Sequence, residues 1–402
     1  MNICNNCASD KIKILLDVGP QPISNRFLID SSDPKPTHRL AVNQCLGCGL
    51  VQINNPVSVS EIVPRFEWIT YNEPEAHLDQ LVRKISSLEG VRKESTICGI
   101  TFKDDSTLNR FQAKGFKNVW RIDKQSDLGI DNSLVSLETI QQYINPDAIA
   151  NVVARRGLAD VVIVRHILEH THNARQFIAG IKKLVKPNGY IIFEVPDCAE
   201  AFEQCDYTTL WEEHTLYFTP QTFKSFFPCN GFNLINFDCY PNVFENSLVA
   251  IVQLNEAKDN SIICGTLLNN ETKRIKNFSD NFPKHLQEIQ DFLSKCKNDK
   301  GKIAIFGAGH LACTFISLFG LEEFIDFCVD DNPNKVGLYL AGTQLPIHRS
   351  KALLEENVKV CLLTLNPINE DKIISINSEF IDKGGLFLSI FPTSKRAMHK
   401  NF

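Results

Sequence analysis

Glu213 and His214 close the run Trp211-Glu212-Glu213-His214, which leads into Tyr217-Phe218 and Thr219-Pro220. An imidazole can take a proton near neutral pH, and a carboxylate beside it can fix the ring and stabilise the imidazolium. The pair therefore reads as a general base, His214, with Glu213 as its support. The plain alternative is an acidic patch ahead of a helix that starts near Thr219-Pro220. Four cysteines offer a second chemistry. Cys4-Asn5-Asn6-Cys7 and Cys45-Leu46-Gly47-Cys48 are two Cys-x-x-Cys knuckles, each a tight turn that aims two sulfurs at one point. Such a pair is expected to bind Zn2+ tetrahedrally, and with all four positions filled by thiolate the metal is structural. A redox role lacks the strand-helix context it needs. The other ten cysteines are scattered singly, several inside apolar runs, and read as small core residues in a reducing compartment.

These residues must be held by regular elements, and the clearest lie between Asp160 and Phe218. Val161-Val162-Ile163-Val164 is a continuous apolar run of the kind a parallel sheet buries on both faces. It leads into Arg165-His166-Ile167-Leu168-Glu169-His170. Phe177, Ile178, Ile181, Leu184 and Val185 then recur at helical spacing, and Lys186-Pro187-Asn188-Gly189 is expected to end that helix in a turn. Tyr190 to Phe193 forms the next strand, followed by Glu194 and Asp197.

This order resembles the second half of a class I S-adenosyl-L-methionine-dependent methyltransferase domain. Ligands in such sheets sit at the carboxyl ends of the strands. The resemblance therefore places His166, Glu169, His170, Glu194 and Asp197 at the active edge, His166 toward the cofactor and Glu194 and Asp197 toward substrate. In the first half, Ser95 to Ile100 reads as the first strand, Ser106 to Lys114 as its helix, and Val119 to Asp123 as the second strand. The resemblance implies cofactor contacts at Gly99 and at Asp123, an acid that would accept from the ribose hydroxyls. The loop Thr101-Phe102-Lys103-Asp104-Asp105-Ser106 departs from the pattern, having no glycine where the methionine part of the cofactor must approach the backbone.

The ends of the chain narrow the resemblance. Asp17-Val18-Gly19-Pro20-Gln21-Pro22-Ile23-Ser24-Asn25 between the knuckles, and Cys48-Gly49-Leu50-Val51-Gln52 after them, are similar to the sugar C-methyltransferases. These methylate a nucleotide-linked keto-deoxysugar beside its ketone. The resemblance implies a tyrosine-bearing segment over the cofactor, here with Tyr71, and a substrate contact at Tyr217. The family's Tyr-His-Glu-His is here Trp211-Glu212-Glu213-His214, so one substrate contact is altered. Beyond Leu254 the chain turns polar, and Pro283 is expected to divide a helical pattern into two segments. A second Rossmann-like unit follows, with Gly307-Ala308-Gly309-His310 after a strand and Ala312 at the third glycine position. By resemblance it binds the sugar nucleotide through Gly307, Asp331, Lys335 and Tyr339, although the family's first-loop lysine is absent.

The expected architecture is α/β. It comprises a small zinc-binding domain over 1–60, a class I methyltransferase Rossmann-like domain over 61–255 and a Rossmann-like substrate-binding domain over 256–402. The expected activity is methyl transfer to carbon using S-adenosyl-L-methionine. Two alternatives remain: an NAD-dependent oxidoreductase using the C-terminal fingerprint, and a non-catalytic methyltransferase fold with a degenerate cofactor site. A net charge of -5 with mixed signs gives no basic stripe for nucleic acid. No run approaches the roughly 18 apolar residues of a membrane span. A small-molecule substrate and a cytoplasmic location are expected.

Overall fold

The computed structural model describes residues 3–69, 75–255 and 265–401. Tyr71 lies outside them. Strands β1 (Ile12–Pro22), β2 (Thr37–Cys45) and β3 (Val51–Ile53) open the chain. Next come β4 (Thr96–Gly99), β5 (Asn118–Arg121), β6 (Ala159–Arg165) and β7 (Val185–Pro196). A two-residue strand β8 (Leu216–Tyr217) precedes the hairpin β9 (Phe232–Tyr240) and β10 (Ser247–Leu254). One sheet has the order β1-β2-β3-β8 and the central sheet the order β5-β4-β6-β7-β10-β9. In the latter β5, β4, β6 and β7 are parallel, and β10 runs antiparallel to both its neighbours.

Period-two alternation explains why the central strands read as unbroken apolar runs. Ile97, Val161, Ile163, Ile192 and Ile251 face one way, onto Leu81, Val82 and Ile85 of helix Leu78–Ser86 and Leu108 and Phe111 of helix Asp105–Ala113. Cys98, Val162, Val164, Ile191 and Phe193 face the other way. They meet helices Pro146–Arg156, Ala174–Leu184 and Pro220–Cys229. With helices on both faces, the sheet is a doubly wound layer, as expected. The Lys186-Pro187-Asn188-Gly189 tract differs from expectation. The helix ends at Leu184, Val185 already pairs with Ala159, and the ladder resumes at Tyr190 opposite Val161, so the tract is an irregularity within β7. Gly189 is required there, since a Cβ would lie 2.7 Å from the carbonyl oxygen of Asp160.

The C-terminal sheet is formed by β11 (Ile303–Phe306), β12 (Phe327–Val329), β13 (Ile347–His348), β14 (Val360–Leu363) and β15 (Leu386–Ser389). Its order is β13-β12-β11-β14-β15, parallel throughout. Ahead of it, Gly265–Lys300 is one helix with Pro283 inside it, not two segments. Ile275, Phe278 and Phe282 on one side of the proline and Ile289 and Leu293 on the other are all buried, and that packing outweighs one lost backbone bond.

The chain forms two compact units. One comprises 1–14, 42–199 and 213–273, the other 15–41, 200–212 and 274–402. The cysteine knuckles thus share a unit with the central sheet, whereas the segment between them groups with the C-terminal sheet. Among the described residues no helix is long and apolar enough to cross a membrane.

Candidate active site

The two knuckles meet. Cys4 Sγ lies 3.5 Å from Cys48 Sγ, and Cys7 Sγ 3.5 Å from Cys45 Sγ. All four sulfurs fall within 4.8 Å of one another. Four thiolates about 2.3 Å from a tetrahedral zinc would stand about 3.8 Å apart, so the donor set fits Zn2+. The backbone N–H of Asn6 points at Cys4 Sγ and that of Gly47 at Cys45 Sγ, an arrangement that favours thiolate. Left-handed residues Ala8 and Gly49 close the two turns. Gln52 of β3 ties the first knuckle down, accepting from Asn5 N at 3.0 Å and donating to the Ile3 carbonyl.

β3 also carries the segment that holds His214. Val51 pairs with Tyr217 and Gln52 with Leu216, and Ile53 N donates to the Thr215 carbonyl at 2.9 Å. On its other side Cys198 N donates to the Phe218 carbonyl at 2.8 Å. His214 therefore stands at the head of a strand gripped from both edges. Its ring packs edge-on against His170 with centroids 4.7 Å apart, and Tyr217 is a further ring neighbour at 6.5 Å. His170 Nδ1 is 2.9 Å from the Glu213 carbonyl oxygen. A carbonyl only accepts, so Nδ1 carries the proton and Nε2 the lone pair in neutral His170. The Glu169 carboxylate comes to the same place, with ligand atoms of Glu169, His170 and His214 all within 4.8 Å of one another. Glu213 contributes its backbone carbonyl to the arrangement. Thr215 N and Oγ1 both donate to the Glu169 carbonyl, fixing that turn against the His214 strand.

Behind this cluster lies a buried ionic network. Arg165, 1 % exposed, donates to Glu194 through Nε at 2.6 Å and to the Lys103 carbonyl through Nη1 at 2.6 Å. Glu194 also lies 3.2 Å from His166 Nε2 and 3.0 Å from His77 Nε2. Burial alone would raise its pKa, but the Arg165 guanidinium and the two imidazoles hold it well below the usual carboxylate range. Glu194 is thus committed internally. His166, at φ 49°, bridges Glu194 to Glu169, whose Oε1 is 3.4 Å from His166 Nδ1. Asp197 follows β7 and caps the next turn by accepting from Ala199 N.

Asp123 is exposed two residues beyond β5. Its Oδ1 accepts from Gln125 N and from Ser126 N and Oγ, bonds that keep it ionised. That exposure fits a ribose acceptor. The first loop is built differently from a glycine loop. Thr101 caps a short 3-10 turn over Phe102–Asp104, and Asp104 folds back so that Oδ2 accepts from Ile100 N at 2.7 Å and Thr101 N at 2.9 Å. Its Oδ1 accepts from Arg165 N at 3.1 Å. Burial pushes its pKa up to about 7, against the bonds from the Thr101, Ile100 and Arg165 N–H groups. Gly99 is required by this turn, because a Cβ there would sit 2.8 Å from Asp104 Cβ. A Thr-x-x-Asp spacing is a capping signal that could have identified Asp104 from sequence. Arg165, His77 and Glu169 gain their roles only from long-range contacts.

In the other unit, Gly307 at φ 102° follows β11, and Ala308 N donates to Asp330 Oδ2 at 3.0 Å. Lys335 Nζ reaches the same oxygen at 2.9 Å. Asp330 is thus the acid facing the first loop. Asp331 beside it accepts from Ser350 N. Tyr339 exchanges backbone hydrogen bonds with Leu28. Trp211 and Glu212 also lie in this unit. Trp211 stacks on His310 at 4.3 Å and donates to Ser24 Oγ at 2.9 Å, while Glu212 Oε1 accepts from Ser24 N and Oγ.

Burial pushes Glu212 up to about 7, against the bonds from Ser24. Its folded pKa exceeds the unfolded value of about 4.3, so the folded state binds the extra proton. Stability from this group is complete below about pH 4 and is lost as pH rises through 7. Glu212→Gln keeps the Oε1 acceptor and should flatten that part of the profile, with a gain of about 3 kcal/mol at pH 8 and little change at pH 4. Urea unfolding of both proteins across this range checks it, and parallel profiles would refute it.

The chain matches three family models in succession: a zinc binding domain at residues 4–62, a methyltransferase domain at 90–236 and a C-methyltransferase C-terminal domain at 242–392. It is 21% identical over 403 residues to the C-methyltransferase NovU of Streptomyces niveus, covering 97% of this chain and 95% of that one. Among solved structures, it overlaps a Burkholderia thailandensis 1,6-didemethyltoxoflavin-N1-methyltransferase bound to S-adenosylhomocysteine, at 13% identity. That overlap has a TM-score of 0.33 and covers 52% of this chain and 95% of the other. A SAM-dependent methyltransferase from Anabaena variabilis overlaps at 12% identity, with a TM-score of 0.29, over 45% of this chain and 86% of the other.

Proposed function

We propose that this chain, an S-adenosylmethionine-dependent methyltransferase, transfers the methyl group to carbon and methylates the position beside a ketone on a nucleotide-linked deoxysugar. The observation that carries the reading is the His214 cluster, in which a half-buried imidazole stands beside His170 and the buried carboxylate of Glu169. A proton next to a ketone is acidic enough for an imidazole to remove near neutral pH. His214 would take it, and Glu169 would stabilise the imidazolium in a poorly solvated pocket, where an opposite charge acts strongly. His170 is fixed in one tautomer by the Glu213 carbonyl and would hold the ring orientation. S-adenosylmethionine, when bound, supplies an electrophilic methyl group for the resulting enolate carbon. Asp123 would accept from its ribose. Gly307, Asp331, Lys335 and Tyr339 remain proposed contacts for the sugar nucleotide, with Lys335 the charge suited to a phosphate.

Calorimetric titration with S-adenosylhomocysteine tests the cofactor half. Wild type should bind, and Asp123→Ala should weaken binding by roughly 1.5–3 kcal/mol, the range for a hydrogen bond to a charged group. Absence of binding would favour the degenerate reading, in which the Asp104 bonds close the first loop. Thermal stabilisation by NAD in place of S-adenosylhomocysteine would favour an oxidoreductase. Methyl incorporation into a nucleotide-linked keto-deoxysugar tests the substrate half.

A further inference from the structure

Glu169, His170 and His214 are arranged as a metal site as well as a base. We propose that these three side chains bind a divalent first-row transition-metal ion such as Zn2+ or Co2+, in a second site chemically unlike the cysteine cluster. Three observations support it. The ligand atoms lie within 4.8 Å of one another, close enough for one ion to touch all three with little movement. His170 donates through Nδ1 to the Glu213 carbonyl, so Nε2 is left with the lone pair a metal needs. Such a carbonyl partner on the far nitrogen is the usual support of a metal-binding imidazole.

The third observation concerns Glu169. The residue is 2 % exposed, and neither carboxylate oxygen has a hydrogen-bond partner among the described residues. His166 Nδ1 lies 3.4 Å from Oε1 without forming a hydrogen bond to it. A buried carboxylate without donors is costly unless a positive charge sits beside it. A cation at the centre of the cluster would supply that charge. The site is also stiff, because Thr215 N and Oγ1 pin the Glu169 carbonyl. Two imidazoles and a carboxylate suit zinc, cobalt or iron(II) and leave open coordination positions, whereas the four-thiolate cluster leaves none.

An ion there would occupy the lone pair of His214 and so inhibit proton removal. The inhibition rests on His214 being the base, but the binding does not. The test uses the full chain with zinc already in the cysteine site, titrated with Co2+. Wild type should take up one further equivalent, with the weak visible bands of nitrogen and oxygen ligands and no sulfur charge-transfer band. Glu169→Gln and His170→Asn should each weaken that uptake by at least about tenfold while keeping the thiolate-bound zinc, which also reports that the variants have folded. No uptake beyond the first site, or equal uptake by wild type and both variants, would overturn the proposal. Uptake that leaves methyl transfer unaffected would uphold the site and overturn the role of His214 instead.

Discussion

His214→Ala should lower methyl transfer by about 10²–10⁴-fold, the range a positioned general base contributes, while leaving S-adenosylhomocysteine affinity nearly unchanged. The ring stands against His170 and Tyr217 at the start of β8, whereas Asp123 follows β5 at the edge of the central sheet. Its loss should therefore fall on the chemical step and not on the adenosine pocket. Glu213→Gln should keep part of the activity, because the backbone carbonyl that meets His170 is retained and the amide can still orient an imidazole while losing the charge that would stabilise the imidazolium. Glu169→Gln should be more damaging, since it removes the negative charge that faces the imidazolium. Exchange of the substrate's alpha proton with deuterated water isolates the step. Exchange in His214→Ala as fast as in wild type would mean another base, with His170 and His166 the next candidates.

Removing zinc, or replacing Cys48 with serine, should have the largest effect on folding. Structural zinc in small thiolate domains contributes apparent free energies of about 10–16 kcal/mol at pH 7, comparable to the whole stability of a domain at about 5–15 kcal/mol. The sulfurs also belong to the core. Cys4, Cys45 and Cys48 share a buried apolar cluster with Leu50, Leu216 and Phe218. Because β3 pairs with Leu216–Tyr217, loss of the knuckles should loosen the strand that holds His214 and abolish activity along with stability. Metal analysis, thermal unfolding and turnover on the same preparation test this. A zinc-free protein with an unchanged unfolding midpoint and full turnover would show the site to be dispensable.

The features legible in the sequence were those fixed by neighbours along the chain. A Cys-x-x-Cys turn aims its sulfurs locally, and Val161 to Val164 announces a strand buried on both faces. Thr219-Pro220 marks a helix start through its capping geometry alone, and Thr219 does accept from Thr222 N. Local rules misled where packing decided the outcome. Pro283 is a strong break signal, yet buried residues on both sides keep the helix continuous. Lys186-Pro187-Asn188-Gly189 has the composition of a turn, and the same composition serves a ladder irregularity. Glu194 was readable as an acid at the active edge, but its commitment to Arg165 depends on a residue 29 positions away. The meeting of Glu169 with His214 is longer in range still, and only the fold brings their ligand atoms within 4.8 Å.

The way the chain is shared between its two units bears on recombination. The segments 15–41 and 200–212 belong with 274–402, and the route changes unit between Glu212 and Glu213. A chimaera that grafts a relative's residues from position 256 onward would leave Ser24, Trp211 and Glu212 behind, with a foreign side chain opposite Trp211 where His310 now stacks. Exchange of specificity between relatives should therefore succeed only when these three stretches travel together. Crossover points chosen from domain order along the sequence should give poorly folded hybrids.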